Sequence, residues 1–320
     1  MKSITTCRNI ERLRFIAAFV LIAAGARSET LTNAVESTNA AWIAPGTLAY
    51  HLATNAMARA SGISPSYESM TEVSRWGYAI FSGTNLASLT NAVWSTNFWL
   101  RGVRGLSATT IGLSNGMGGQ GLFTMVSPRH YLCASHMHPE GYLAAFLDTN
   151  NVICWRKTLQ RLDLANDTSV GILNEDLPAS VGYLPVLPTN FSQYLPGSDA
   201  SPVQGIGMNQ DLRVFGEPMT FQNPAFVLWN NAASAPLGLP LNWNVAIRGG
   251  DSSDPAMLLI SNQLVLASHN YFAGGGPNYA AQSAAINQGM HYLSTNNHAA
   301  TDYQLTPVSL TNWSITRPLR

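Results

Sequence analysis

Short apolar runs, separated by turn-forming residues, recur along this chain after about residue 105. Runs of about four to eight residues, punctuated by Gly, Pro, Asn and Ser, are typical of an all-β barrel or sandwich. The segment 189–218 is rich in these turn residues, so it is predicted to connect two halves of the β region. The predicted strands are 121–127, 131–135, 142–148, 152–159, 169–174, 219–222, 226–230, 244–248, 256–261 and 263–269.

The chain before residue 105 has a different pattern, which includes helix. Over 64–81, Ser64 suits an N-cap, Pro65 suits the first turn, and apolar residues follow at helical spacing. A late helix is predicted over 280–293. The region 27–105 is therefore interpreted as a partly helical N-terminal extension, and the sequence leaves open whether it is a pro-segment that is removed by cleavage near residue 105.

The first 26 residues have the pattern of a signal peptide. Basic residues precede the apolar run 15–26, which ends in the small residues Ala24, Gly25 and Ala26. The alternative, a membrane anchor, would need about 20 apolar residues. We therefore expect cleavage near Ala26, a secreted protein (extracellular or periplasmic), and no membrane partner after signal removal.

Composition narrows the possible partners. Charged residues make up only 11% of the chain and the formal net charge is zero, without a Lys/Arg cluster, so no nucleic-acid partner is expected. No cofactor is expected either. In an oxidising compartment, Cys133 and Cys154 either form a disulfide or remain free thiols, and the sequence leaves both possibilities open.

The stretch "GGDSSDP", 249–255, is the first candidate for chemistry. A serine hydroxyl becomes an effective nucleophile only beside a base. A glycine-rich turn offers backbone N–H groups to a developing oxyanion, and here Gly250 and Ser252 occupy suitable positions. Taken alone, such a stretch is more often a simple turn between strands.

Two further segments supply the missing partners. His136 follows the predicted strand 131–135, where a loop side chain can face a cleft. With His138 it forms an H-x-H pair that suits zinc, although no third ligand cluster stands out. Asp167 precedes the apolar run "SVGIL" and would fix the tautomer of a histidine base; its alternative role is that of a turn or capping residue.

Together these segments resemble the chymotrypsin-like (trypsin-like) serine peptidase family. "LCASHM", "DTSVGIL" and "GDSSDP" resemble the family's histidine, aspartate and serine motifs, and they occur in the family's chain order. The resemblance implies a catalytic triad of His136, Asp167 and Ser252, with an oxyanion hole formed by Gly250 and Ser252. It also implies a mainly β fold, with two Greek-key β-barrels and the site between them.

The domain boundaries expected from this resemblance place the peptidase domain at 106–316. The first barrel would cover about 106–190 and the second about 200–316. The expected activity is that of a secreted serine endopeptidase that cleaves a protein or peptide substrate through an acyl-enzyme. A catalytically impaired binding or structural module is the alternative, and another serine hydrolase such as an esterase is a third possibility.

Several residues depart from the family pattern or suggest substrate contacts. Ser253 and Asp254 replace two glycines of the serine motif. Ala246 stands where the trypsin branch has aspartate, so a small or apolar substrate side chain is expected. Ser268 and His269 end the strand that, by resemblance, lines the substrate cleft. In the family the residue at the position of Asp251 can pair with a new N-terminal Ile or Val, but no clear activation site precedes the first barrel here. Asp251 is therefore expected either to find another partner or to be preset.

Overall fold

The computed structural model describes residues 43–74, 92–114, 122–195, 202–222, 225–230, 235–271 and 274–316. The predicted signal peptide lies outside these residues. Over the described part, the protein is mainly β, with two curled six-stranded antiparallel sheets consistent with two β-barrels. No helix among these residues is long and apolar enough to cross a membrane.

The first sheet has the strand order β3-β6-β7-β8-β5-β4. A bridge between Thr109 and Thr124, with a 3.1 Å hydrogen bond from Thr110 N to Phe123 O, joins its two ends. The sheet therefore curls back on itself. Its strands are β3 (Gly112–Leu113), β4 (Thr124–Met125), β5 (His130–Ala134), β6 (Leu143–Leu147), β7 (Ile153–Asp163) and β8 (Thr168–Leu173).

The second sheet has the order β13-β12-β9-β10-β11-β14. Its β12–β13 hairpin closes through a two-residue turn in which Ile260 pairs with Gln263 and Ser261 has a left-handed φ of 57°. Its strands are β9 (Val203–Met208), β10 (Val214–Gln222), β11 (Phe226–Trp229), β12 (Pro255–Ile260), β13 (Gln263–His269) and β14 (Gly275–Pro277). The short pair β1 (Val73–Ser74) and β2 (Val93–Trp94) forms a separate two-stranded sheet.

The described helices are α1 (Leu48–Ala60), α2 (Tyr67–Met70) and α3 (Tyr279–Asn296), with 3₁₀ turns at Leu106–Ala108, Phe191–Gln193 and Leu241–Trp243. Helix α3 contributes Ile286, Met290 and Leu293 to the larger of two hydrophobic clusters. Helix α1 contributes Leu48 and Leu52 to the smaller cluster, against the second sheet. Residues of the predicted N-terminal extension therefore form part of the core.

Three local predictions were wrong. The segment 244–248, predicted as a strand, is irregular and follows a 3₁₀ turn. The helix predicted over 64–81 is only the four-residue α2, capped by Ser66 rather than Ser64, and 75–81 lie outside the described residues. The predicted connection 189–218 contains β9 and the start of β10, since both pair in the second sheet.

Candidate active site

His136 stands just beyond the end of β5, on the first sheet. All five residues of β5 are buried, whereas the His136 side chain is 47% exposed. Its Nδ1 lies 2.6 Å from Asp167 Oδ2. A carboxylate accepts hydrogen bonds only, so this contact places a proton on Nδ1 and leaves the Nε2 lone pair of the neutral ring free to act as a base.

Asp167 lies in the turn between β7 and β8, with a left-handed φ of 54°. Besides the His136 ring, its carboxylate accepts hydrogen bonds from Ser135 Oγ at 2.6 Å and from His136 N at 3.1 Å. Burial raises the pKa of Asp167, but the hydrogen bonds from Ser135 and His136 outweigh this effect, so the net pKa is lowered. The Asp167 carboxylate is therefore held by three hydrogen-bond donors.

The "GGDSSDP" turn of the second barrel packs against the strand that carries the histidine. Ser253 is 1% exposed, and its Oγ accepts a 2.8 Å hydrogen bond from Ala134 N, two residues before His136. Ser253 also has a left-handed φ of 74°, a conformation that glycine adopts at no steric cost. Ser253 thus has both the position and the backbone conformation of a glycine in the motif, and its hydroxyl is already engaged.

Ser252 is half-buried, and its hydroxyl forms no hydrogen bond within the described ranges, including to His136. The backbone N–H groups of Gly250 and Ser252 likewise have no acceptor there. Catalytic hydrogen bonds are often long in ligand-free sites and shorten around a substrate. The geometry therefore leaves one hydroxyl and two N–H groups available beside the turn.

Asp251 fixes the conformation of this turn. It is fully buried, and its carboxylate accepts from Gln210 N at 3.0 Å and from Arg248 N at 2.7 Å. Burial raises the pKa of Asp251, and these hydrogen bonds oppose the rise. The other partner expected for Asp251 is thus a pair of backbone amides.

The carboxyl group of Asp254 is also completely buried, and neither of its oxygens has a hydrogen-bond partner among the described residues. Burial, followed by the nearby charges of Asp251 and Asp211, raises its pKa well above the ordinary value. The buried position of Asp254 therefore disfavours the charged form of its carboxyl group.

The residues predicted to contact substrate occupy different environments. Ala246 is exposed on the irregular segment before the turn. Ser268 and His269 are 0% and 1% exposed, so their side chains lie in the interior, and their contact with substrate stays a prediction. His269 Nε2 instead lies 3.2 Å from Asp167 O, and its Nδ1 contacts Tyr279 Oη.

Two other predictions concern metal and thiol chemistry. Across the described ranges, no group of three or more His, Cys, Asp or Glu side chains is arranged to hold a metal ion. His138 Nδ1 lies 2.8 Å from an Arg161 nitrogen, and His136 Nδ1 lies 2.6 Å from Asp167 Oδ2, so both Nδ1 atoms of the H-x-H pair already have partners. Cys133 and Cys154 are free thiols, on β5 and β7.

Sequence reasoning did not identify Ser135 or Tyr279 as part of the site. Ser135 adjoins His136, and that adjacency was the available signal. Tyr279 is distant from the three motifs in sequence, and it reaches the site only because α3 folds back against β13. Its contact with His269 can be recognised only from the three-dimensional structure.

Comparisons with known proteins add little. No protein-family model and no curated protein matches the sequence. A solved structure entitled "Atomic resolution structure of HBP" is 11% identical, has a TM-score of 0.41, and covers 53% of this chain and 85% of its own. The function of this chain is therefore inferred from the geometry of its site.

Proposed function

We propose that this chain is a serine endopeptidase that hydrolyses peptide bonds through an acyl-enzyme. In this proposal Ser252 is the nucleophile, His136 the general base and acid, and Asp167 the residue that orients His136. The main support for this proposal is the 2.6 Å contact between His136 Nδ1 and Asp167 Oδ2. This contact lies where the serine turn packs against β5.

The acylation step follows from these positions. Ser252 Oγ attacks the scissile carbonyl carbon while His136 Nε2 takes the hydroxyl proton, and Asp167 stabilises the resulting imidazolium. The N–H groups of Gly250 and Ser252 donate to the oxyanion. The intermediate then expels the amine, which takes the proton from His136 as the C–N bond breaks.

Deacylation repeats the sequence with water. His136 Nε2 removes a proton from water as its oxygen attacks the acyl carbon, and the same N–H groups stabilise the second oxyanion. Collapse breaks the ester bond, releases the carboxylic acid and returns the proton to Ser252 Oγ. Besides the substrate and water, the steps use side chains and backbone groups of this chain.

The substrate and location are part of the same proposal. We infer that the substrate is a protein or peptide and that the enzyme acts outside the cytoplasm, on the signal-peptide pattern of residues 1–26. Mass spectrometry of the mature N-terminus would show cleavage near Ala26. A mature form that retains residues 1–26 would contradict secretion.

A fluorophosphonate probe tests the nucleophile directly, because it reacts covalently with an activated serine. The wild-type protein should be labelled and should cleave casein, whereas Ser252→Ala should do neither. The matched control is Ser253→Gly, which removes the neighbouring hydroxyl and suits the left-handed φ of 74°, so it should retain labelling. Labelling that persists in Ser252→Ala and is lost in Ser253→Gly would show that the nucleophile is assigned to the wrong serine.

A second function is favoured by the lack of a hydrogen bond between Ser252 Oγ and His136 and by the Asp254 carboxyl, which has no hydrogen-bond partner within the described ranges. In that case the protein keeps the fold and acts as a binding module. A folded wild-type protein that neither reacts with the probe nor cleaves casein would favour this function. Cleavage of esters without cleavage of peptides would indicate an esterase instead.

A further inference from the structure

We propose that His269 is a positioning residue of the triad. In this proposal, which rests on the proposed function, His269 holds the main-chain carbonyl of Asp167 so that the carboxylate faces His136. The hydroxyl of Tyr279 in turn fixes the tautomer of His269.

The main chain of Asp167 needs such support. Its φ of 54° lies in the left-handed region, which is unfavourable for a residue with a side chain. Two donors converge on its carbonyl oxygen, Ser135 N at 3.0 Å and His269 Nε2 at 3.2 Å. One comes from the first sheet and the other from the second, so the turn that bears Asp167 is fixed from both sides.

The hydrogen bonds of His269 are consistent with a single tautomer. A carbonyl oxygen only accepts, so the contact with Asp167 O requires a proton on Nε2. Burial lowers the pKa of His269 to about 4, the nearby Asp167 opposes this, and the ring is neutral at neutral pH. Nδ1 is then an acceptor, and the hydroxyl of Tyr279 donates to it.

Packing keeps this chain of hydrogen bonds in place. Both His269 and Tyr279 are almost completely buried, and their rings lie 5.6 Å apart. Tyr279 is the first residue of α3, which the side chain of Asn278 caps through a 3.1 Å bond from Ala280 N. On the other side, a Cβ at Gly276 would collide with the His269 carbonyl, so β14 lies directly against this residue.

His269 therefore influences the reacting atoms only through Asp167. The side chain of His269 is 1% exposed, so its loss should leave substrate binding nearly unchanged. It should instead loosen the Asp167–His136 contact, which matters most when His136 becomes charged in the transition state. The effect is therefore expected in kcat rather than in KM.

Kinetics of matched variants test this role. His269→Leu removes the donor, and kcat should fall about tenfold with KM within about threefold of wild type, as expected for loss of one hydrogen bond. His269→Gln keeps an N–H group near the Nε2 position and should restore most of kcat. A His269→Leu enzyme with wild-type kcat, or a His269→Gln enzyme no better than His269→Leu, would overturn the proposal.

A double-mutant cycle tests the contribution of Tyr279. Tyr279→Phe should lower kcat in the wild-type background, and by a smaller factor in the His269→Gln background, where no imidazole remains to be oriented. An equal decrease of kcat in both backgrounds would overturn the inference that Tyr279 acts through His269. Thermal melting of each variant confirms that the folded enzyme is being compared.

Nitrogen NMR of histidine-labelled wild-type protein reports the tautomer of His269 directly and does not depend on activity. His269, assigned by loss of its signal in His269→Gln, should show a protonated Nε2 and an unprotonated Nδ1 at neutral pH. A proton on Nδ1 would overturn the inference whatever the enzyme does. Absence of fluorophosphonate labelling together with the expected tautomer would instead refute the proposed function and leave the contact in place.

Discussion

Glu217 on β10 is a buried carboxyl group whose charge depends on pH. It is 2% exposed, and its Oε2 has no hydrogen-bond partner among the described residues. Burial raises its pKa from an ordinary value of 4.5 to about 7. Between these two values the folded protein retains a proton that the unfolded chain has released, so stability falls as the pH rises through this window.

Glu217→Gln should therefore stabilise the protein in a pH-dependent way. At about pH 8 the gain should be about 3 kcal/mol, and at about pH 4 it should vanish, because both states of the wild type are then protonated. Urea unfolding at the two pH values measures it. Glu175→Gln, the same change on a side chain that is 62% exposed, is the control for the loss of a surface carboxylate, and the gain from Glu217→Gln at the higher pH should exceed its effect. A Glu217→Gln gain independent of pH would contradict this assignment.

The sequence predicted part of the site at the scale of single residues. The contact between His136 and Asp167 was implied by two motifs in their chain order, and the structure forms it at 2.6 Å. The burial of His269 could not be predicted, because it depends on β14 passing close by at Gly276. The sequence pattern at the end of a strand is the same whether a neighbouring strand covers that end or leaves it exposed.

At the scale of elements, apolar runs bounded by turns predicted β12 and β13 almost to the residue. The errors occur where tertiary contacts outweigh local preference. The segment 244–248 resembles a strand, but its end is held by the Arg248 N–H bond to Asp251. The helix predicted over 64–81 stops at Met70 because Glu72 N bonds to Leu212 O, beyond which Val73 and Ser74 form β1.

Helix α1 gives a prediction of its own. Leu52 is 1% exposed against the second sheet, whereas Met57 on the same helix is 42% exposed. Leu52→Ala should cost about 2–5 kcal/mol of unfolding free energy, and Met57→Ala less than about 0.5 kcal/mol. Urea unfolding of the two variants compares them. Equal losses would mean that α1 does not contribute to the core through this face.

At the scale of the whole molecule, the candidate site combines groups from both sheets. His136 and Asp167 follow strands of the first sheet, while the serine turn and His269 belong to the second. The order of the motifs predicted this division, but it did not predict what would hold the serine turn. Asp251 is anchored on Arg248 N and on Gln210 N of the β9–β10 turn. That anchor comes from within the second sheet and requires no free N-terminus.

The proposed enzyme should therefore be active without cleavage near residue 105. A protein whose chain is intact at that junction, as shown by its mass, should react with the fluorophosphonate probe as fast as one cut there at an engineered protease site. Asp251→Asn should slow labelling of both forms about tenfold or more, because an amide nitrogen would face a backbone N–H and disturb the oxyanion donors. Labelling that begins only after the cut would contradict a preset turn. Such a result would mean that Asp251 needs an interaction with the new N-terminus, and that its hydrogen bonds with the backbone amides are not sufficient.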